Sequence, residues 1–254
     1  MHTAKFNTWF TLTVAESKRL IALGFKNNPE IISRLSNGTA LIAKGTTNTY
    51  IAEILANVKL ANGDYVNGHI LPANTTKRLD KNNVRPEFVL EKGKVSDKTF
   101  PSVLEEMCSN DIVLKGANII NYKKKQAGVI IIHPTGGTCG AIETPVAKNG
   151  IKVIIPVSLE KDCSCDIKLL SQKSKDVKAN TEGDSPYIWH LEGEIFTEIE
   201  ALKTFADIEI LTIAKGGIGG AEGSVSFSIS GTKENINKAM NIVKSVQGEK
   251  EYII

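Results

Sequence analysis

Glycine followed by hydroxyl side chains recurs where the chain changes from apolar to mixed, at Lys44-Gly45-Thr46-Thr47-Asn48 and at His133-Pro134-Thr135-Gly136-Gly137-Thr138. This pattern suits anion binding. Glycine lets the backbone come close to a ligand, and the free N–H groups opening the next helix carry partial positive charge. Thr46 and Thr47 add hydroxyl donors and Lys44 a full charge. The plainer alternative is that Thr47 or Asn48 caps the helix, but capping needs one polar residue and three follow Gly45. His133 titrates near neutrality when unperturbed, so it is a candidate hydrogen-bonding or acid–base group, or a structural histidine. Glu143 is the second candidate acid–base residue.

A third loop, Lys115-Gly116-Ala117-Asn118, offers a lysine for phosphate and an amide able to donate and accept. Glu160 and Lys161 complete the rim, either as ligand contacts or as an exposed ion pair of small energetic worth. Other signals are weaker. Gly216-Gly217-Ile218-Gly219-Gly220 joins two strand-like runs and puts Glu222 where a dinucleotide loop needs its last glycine, so it reads as a turn or inter-subunit contact. Cys163-Ser164-Cys165 has no second ligand pair at zinc spacing. No metal and no cofactor is expected.

Strand and helix segments alternate around these loops. Thr13 with Glu16 makes a capping box before the apolar Leu20, Ile21 and Leu23. Asn28-Pro29 opens a second helix to about Leu35. A β-leaning run at Thr39–Lys44 leads through Gly45 to a helix at Thr49–Val58. The polar stretch 62–96 reads as edge strands or a lid. Phe100–Met107 reads as a helix and Asp111–Leu114 as a strand. Val129–Ile132 reads as a strand buried on both faces of a parallel sheet, followed by a helix to Lys148. Lys152–Val157 is another buried strand. A polar, irregular helix and loop follow at 162–184. After a helix at Thr197–Phe205, strands at Ile208–Ala214 and Ser224–Ser230 lead to a final amphipathic helix, Thr232–Val246. This order predicts an α/β fold of three layers with a mostly parallel sheet over residues 1–186, and a small C-terminal strand–strand–helix subdomain over 187–254. Ligands of such sheets bind beyond the carboxyl ends of the strands, where the three loops fall.

Composition removes whole classes of function. The chain has 254 residues, 41% of them hydrophobic and 23% charged, as in a globular domain and unlike a disordered chain. Lys+Arg at 31 against Asp+Glu at 28 leaves a formal charge of +3, too little to neutralise the many phosphates of a nucleic acid. The longest apolar run, Gly128–Ile132, is far below the roughly 18 residues of a membrane span. No apolar signal segment opens the sequence, and four cysteines without a framework fit a reduced, cytoplasmic protein.

The strand ending in Gly45-Thr46-Thr47 before a helix resembles the phosphate loop of the NagB/RpiA/CoA-transferase-like superfamily, which includes ribose-5-phosphate isomerase, glucosamine-6-phosphate deaminase and DeoR-type sugar-phosphate sensor domains. Asp111 to Asn118 is similar to the isomerase strand ending in Gly-Ala-Asp. Val129–Gly137 is similar to its strand running into a glycine-rich loop, and Val153–Lys161 to its strand ending in Ser-Lys. The resemblance spans about Ser36 to Lys161. It implies the superfamily's fold and a sugar-phosphate site. The departures bear on the chemistry: Asn118 stands where the isomerases use an acid, His133 lies near their lysine, and a gapless register puts Ile142, not Glu143, at their catalytic glutamate. The anion loop looks kept and the isomerase chemistry lost. A small anionic, phosphorylated metabolite is the expected partner, bound by an enzyme or by a non-catalytic sensor. A further alternative, a CoA transferase, needs a glutamate nucleophile, for which Glu143 and Glu160 are the candidates. Self-association through the terminal unit is the other expected partnership.

Overall fold

Short-range hydrogen bonds set the helix starts. Thr13 accepts from the Glu16 N–H while Glu16 accepts from the Thr13 N–H at 2.8 Å, the reciprocal box read from the sequence. Asn28 accepts from the amides of Glu30 and Ile31, with Pro29 in the first turn. The computed structural model describes residues 5–72, 84–180 and 185–252. In chain order the elements are β1 (Phe6–Leu12), α1 (Val14–Asn27), α2 (Pro29–Asn37), β2 (Thr39–Ile42), α3 (Thr46–Leu55), β3 (Phe88–Glu91), β4 (Lys94–Val95), β5 (Ile112–Leu114) and β6 (Ile119–Asn121). There follow β7 (Gln126–Ile131), α4 (Gly137–Asn149), β8 (Lys152–Pro156), α5 (Ile167–Ala179), β9 (Tyr187–Leu191), β10 (Glu194–Phe196), α6 (Glu198–Lys203), β11 (Glu209–Lys215), β12 (Val225–Gly231) and α7 (Lys233–Val246). Phe100–Met107 holds only a 3-10 turn, Ser102–Glu105.

The fold is mixed α/β. Its main sheet has six strands in the order β10-β8-β5-β2-β3-β4. β10, β8, β5 and β2 run parallel, and the β3–β4 hairpin closes the edge antiparallel to β2. Ile112, Val113 and Leu114 of β5 and Val153, Ile154 and Ile155 of β8 are all buried, which is why these strands are apolar without alternation. α1 packs against α3, α6 and α7 and contributes Leu20, Ile21 and Phe25 to the core.

The run Val129–Ile132 departs from the parallel-sheet expectation. Residues 129–131 belong to β7, in a separate antiparallel sheet of order β6-β7-β9. A tight turn at Tyr122–Lys125, with Lys125 in the left-handed region, folds β7 back antiparallel on β6, and β9 takes its other edge. Ile130 and Ile132 are exposed at 39% and 55%. The run lines part of a cavity described below, and α5 packs against β7.

A third sheet, β1-β12-β11, lies with α7. The terminal strand–strand–helix unit thus takes its third strand from the N-terminal end, and β9 and β10, beyond residue 186, pair with β7 and β8. In the polar stretch 62–96, β4 is an edge strand and β3 lies between it and β2, while residues 73–83 of the expected lid lie outside the described residues. No helix among the described residues is long and apolar enough to cross a membrane.

Candidate functional site

Parallel strands deliver their carboxyl ends to one side of a sheet. Here β2 runs into Lys44–Asn48, β5 into Lys115–Asn118 and β8 into Ser158–Lys161. α3 begins at Thr46, three residues before the expected Thr49, so Gly45 is its N-cap and Thr46, Thr47 and Asn48 form its first turn. Gly45 has no side chain to cap with, and its own N–H donates to the Tyr65 carbonyl at 2.9 Å. The first-turn amides of α3 therefore have neither an intrahelical acceptor nor a side-chain cap. α4 repeats this: its N-cap is Gly136, in the left-handed conformation and again without a side-chain cap. The other helices are capped by Thr13, Asn28, Asp166, Thr197 and Thr232.

Both uncapped helix starts open on one cavity of about 850 Å³. Lys44, Gly45, Thr46, Thr47 and Asn48 line it from β2 and α3. Lys115, Gly116, Asn118 and Lys161 line it from β5 and β8, and His133, Gly137 and Thr138 from the start of α4. The strand–loop–helix segments come from two different sheets and meet at this space.

The charges are unequal. Lys44 is paired with Glu87 at 3.6 Å, so part of its charge is already neutralised. Among the described residues Lys115 reaches only the Gly116 carbonyl, at 3.4 Å. Lys161 donates to the Ala117 carbonyl at 3.0 Å. Burial pushes the Lys161 ammonium below the usual lysine range; Glu160 opposes this and Lys115 adds to it. Lys18 of α1, more fully buried than Lys161, is lowered to about 8, chiefly by desolvation, with Glu160 opposing and Lys161 contributing. His133 Nδ1 lies 3.3 Å from the Thr135 amide, which donates to it, and 3.1 Å from the Thr135 hydroxyl. A neutral ring accepting there carries its proton on Nε2.

Four residues read from the sequence are not in the lining. Thr135 is exposed and engaged with His133. Gly136 is buried, and a Cβ there would sit 2.3 Å from the Trp189 ring, so this glycine serves the turn and its packing. Glu143 is exposed on α4, six residues beyond Gly137 and so about 9 Å along the axis. Glu160 points elsewhere: its carboxylate lies 3.2 Å from where a Cβ on Gly223 would stand. Two further assignments shift in kind. Asn118 Oδ1 accepts from the Ile130 N–H at 3.0 Å, tying β7 to the loop before β6. Asn48 donates to the Ala43 and Leu114 carbonyls, so its amide holds the ends of β2 and β5.

The opposite wall comes partly from the stretch read as edge strands or a lid, none of whose residues the sequence reading named as part of a site. Val66, Gly68, His69, Ile70 and Leu71 line the cavity from a segment without regular structure, and Val129–Ile132 faces it from β7. One wall is thus cationic and rich in N–H groups and the other largely aliphatic. The anchor of this segment is Tyr65, fully buried. Its hydroxyl donates to the Ile42 carbonyl and accepts from the Phe88 N–H at 2.8 Å, while its carbonyl receives the Gly45 N–H. Burial raises its phenol above the usual range. Tyr65→Phe removes the acceptor and donor at once. It should lower the unfolding free energy by about 1–3 kcal/mol in urea titrations, with an unchanged slope.

Among the described residues no group of three or more His, Cys, Asp or Glu side chains is placed to hold a metal ion. Burial raises the Cys139 thiol, which outweighs the pull of Lys115 toward thiolate. Compared with known family models, characterised proteins and solved structures, the chain matches none.

Proposed function

We propose that the chain binds a small phosphorylated metabolite at the carboxyl ends of its parallel strands, with the phosphate on the α3 amides and the remainder of the molecule toward α4 and His133. The observation that carries this is the pairing of two uncapped helix starts, α3 and α4, on one cavity while the other helices are capped by side chains. Open amides and the positive helix ends favour an anion, and Lys115 and Lys161 add charge. On this reading the likeness to the NagB/RpiA-like sugar-phosphate proteins is one of loop order and anion site, and the ligand is a sugar phosphate or a molecule of similar chemistry. The volume also leaves room for an aliphatic part against Ile70, Leu71 and β7. A transferase using a glutamate nucleophile is less well supported, because neither Glu143 nor Glu160 lines the cavity.

Thermal denaturation against inorganic phosphate, sugar phosphates and the matching unphosphorylated sugars tests this. A ligand at a hundred times its Kd should stabilise the native state by about 2.7 kcal/mol. The sharper form of the test is Gly45→Asp. A Cβ at Gly45 meets nothing within 4 Å, so a carboxylate fits there and caps α3 itself. The variant should unfold at the same temperature as the parent or slightly above it, and its response to phosphate should vanish. A parent-like phosphate response in Gly45→Asp overturns the α3 site. Turnover of a stabilising ligand marks an enzyme, and a bound but unchanged one marks a sensor.

A further inference from the structure

The anion reading uses the lysines only as charge, yet Lys161 differs from the rest. It ends the 3-10 turn Leu159–Lys161 that follows β8. This turn is fixed from behind: Ser158 accepts from the Glu160 N–H at 3.3 Å, and the buried Glu198 carboxylate accepts from the Leu159 N–H at 3.0 Å. The side chain that leaves this fixed backbone lines the cavity beside Ala117 and Lys115. Its Nζ donates to a backbone carbonyl and forms no ion pair within the described residues, whereas Lys44 is paired with Glu87. The charged neighbours that act on it are Glu160, Lys115 and Lys18. Lys18 is buried where Lys161 is half-buried, and it does not line the cavity.

We propose that Lys161 is a nucleophilic amine that forms an imine with the carbonyl carbon of a phosphorylated aldehyde or ketone held on the α3 and α4 amides. This rests on the anion-site reading and adds to it the substrate class. The free-amine form needed for attack is favoured by desolvation and by the neighbouring cation Lys115, the two ways an amine is activated without a base. The nitrogen lone pair adds to the carbonyl carbon and the C=O π pair moves to oxygen. A proton passes from nitrogen to that oxygen. The hydroxyl then takes a second proton and leaves as water with the C–O pair, while the nitrogen lone pair closes the C=N bond. No oxidant or reductant enters. The resulting iminium draws electrons from the adjacent carbon, which serves proton abstraction or carbon–carbon cleavage next to a carbonyl.

The probe is pyridoxal phosphate, which carries both an aldehyde and a phosphate. The whole protein is incubated with it, reduced with borohydride and mapped by peptide mass spectrometry, with and without excess inorganic phosphate. The expected result is one dominant pyridoxyl group per chain, on Lys161, suppressed by inorganic phosphate and lost in Lys161→Arg. Lys115→Gln, which removes the neighbouring cation, should slow labelling at neutral pH. Labelling spread over surface lysines with Lys161 no faster than the others overturns the proposal, and so does full labelling of Lys161→Arg at another site. Because the first comparison uses the unaltered chain, misfolding of a variant cannot hide the answer. The two readings fail separately. Phosphate stabilisation without a Lys161 adduct leaves the anion site and removes the imine. A Lys161 adduct that phosphate neither suppresses nor competes with keeps the amine and removes the α3 anion site.

Discussion

Glu198→Ala is expected to lower the unfolding free energy by about 2–4 kcal/mol, while Glu198→Gln costs about 1 kcal/mol or less at neutral pH. Glu198 is 2% exposed. One carboxylate oxygen accepts from the Ser158 hydroxyl at 2.6 Å and the other from the Leu159 N–H at 3.0 Å. Ser158 and Leu159 are themselves buried, so removing the acceptor strands two donors without water. Glutamine keeps an oxygen for them and drops the buried charge. Burial raises the Glu198 carboxyl, and the hydrogen bonds from Ser158 and Leu159 only partly offset it. The sign of the pH effect follows. A carboxyl with its folded pKa above its unfolded value stabilises fully below the unfolded value, and that contribution is lost as pH rises through the folded value. The parent should therefore lose stability over this window, and Glu198→Gln should lose less. Urea midpoints of the three proteins across acidic and neutral pH check this. Equal midpoints for the alanine and glutamine variants would remove the hydrogen-bond argument. Since the same carboxylate holds the turn that carries Lys161, the alanine variant should also lose pyridoxal phosphate labelling.

How much of this was legible in the sequence depends on the range of the interaction. Helix starts were, because caps are local: Thr13 with Glu16, Asn28 with Pro29 and Thr232 each bond within three residues. The apolar runs Ile112–Leu114 and Val153–Ile155 were, because strands buried on both faces need no polar alternation. Partnership was not. Val129–Ile132 has the same composition as a parallel strand but is folded back by the turn at Tyr122–Lys125, and it lines part of the cavity. β9 and β10 are short, and β1 finds its partner near the other end of the chain, in β12. The same division runs through the site. Glycine and threonine at the strand ends named the loops, since close backbone approach has a residue signature. Glu143 and Glu160 did not reach the lining, because side-chain direction on a helix or turn is set by phase and packing and not by sequence distance. Val66–Leu71 fell inside the stretch read as edge strands or a lid, but its residues could not be singled out as a cavity wall, since irregular backbone has no period to read. Asn48 was read as a ligand group, and its type gave no warning that strand carbonyls would claim it.

Asn48 also supports the prediction with the greatest expected loss. It is 1% exposed, and its Nδ2 donates to the Ala43 carbonyl at 2.7 Å and the Leu114 carbonyl at 3.2 Å. The Leu114 carbonyl also accepts from the Ala43 N–H at 2.9 Å, so one side-chain amide and one backbone bond lock β2 to β5 where the site begins. Asn48→Asp is nearly isosteric and places a carboxylate in the first turn of α3, where the helix end favours negative charge by about 0.3–1 kcal/mol, reaching about 2 in buried settings. Against this stand the lost amide donor, which strands the Ala43 carbonyl at about 1–3 kcal/mol while the Leu114 carbonyl keeps the Ala43 N–H, and a buried carboxylate aimed at two carbonyl oxygens, which adds several more. The loss wins, and about 4 kcal/mol or more would go from a total that for most domains is only about 5–15. The variant also carries its own diagnostic. The carboxyl that Asn48→Asp introduces is buried and faces carbonyls, which favours its protonated form, able to donate once, so its folded pKa lies above its unfolded one. The variant's stability should be highest in acid and fall as pH rises through the folded value. Asn48→Ala, which loses the same donors without adding charge, should cost about 2–4 kcal/mol with no added pH dependence. Urea unfolding of both variants at acidic and neutral pH separates the two effects. An Asn48→Asp protein as stable as the parent at neutral pH would mean that the amide does not hold the strand ends, and would return Asn48 to the cavity as a group free to meet a ligand.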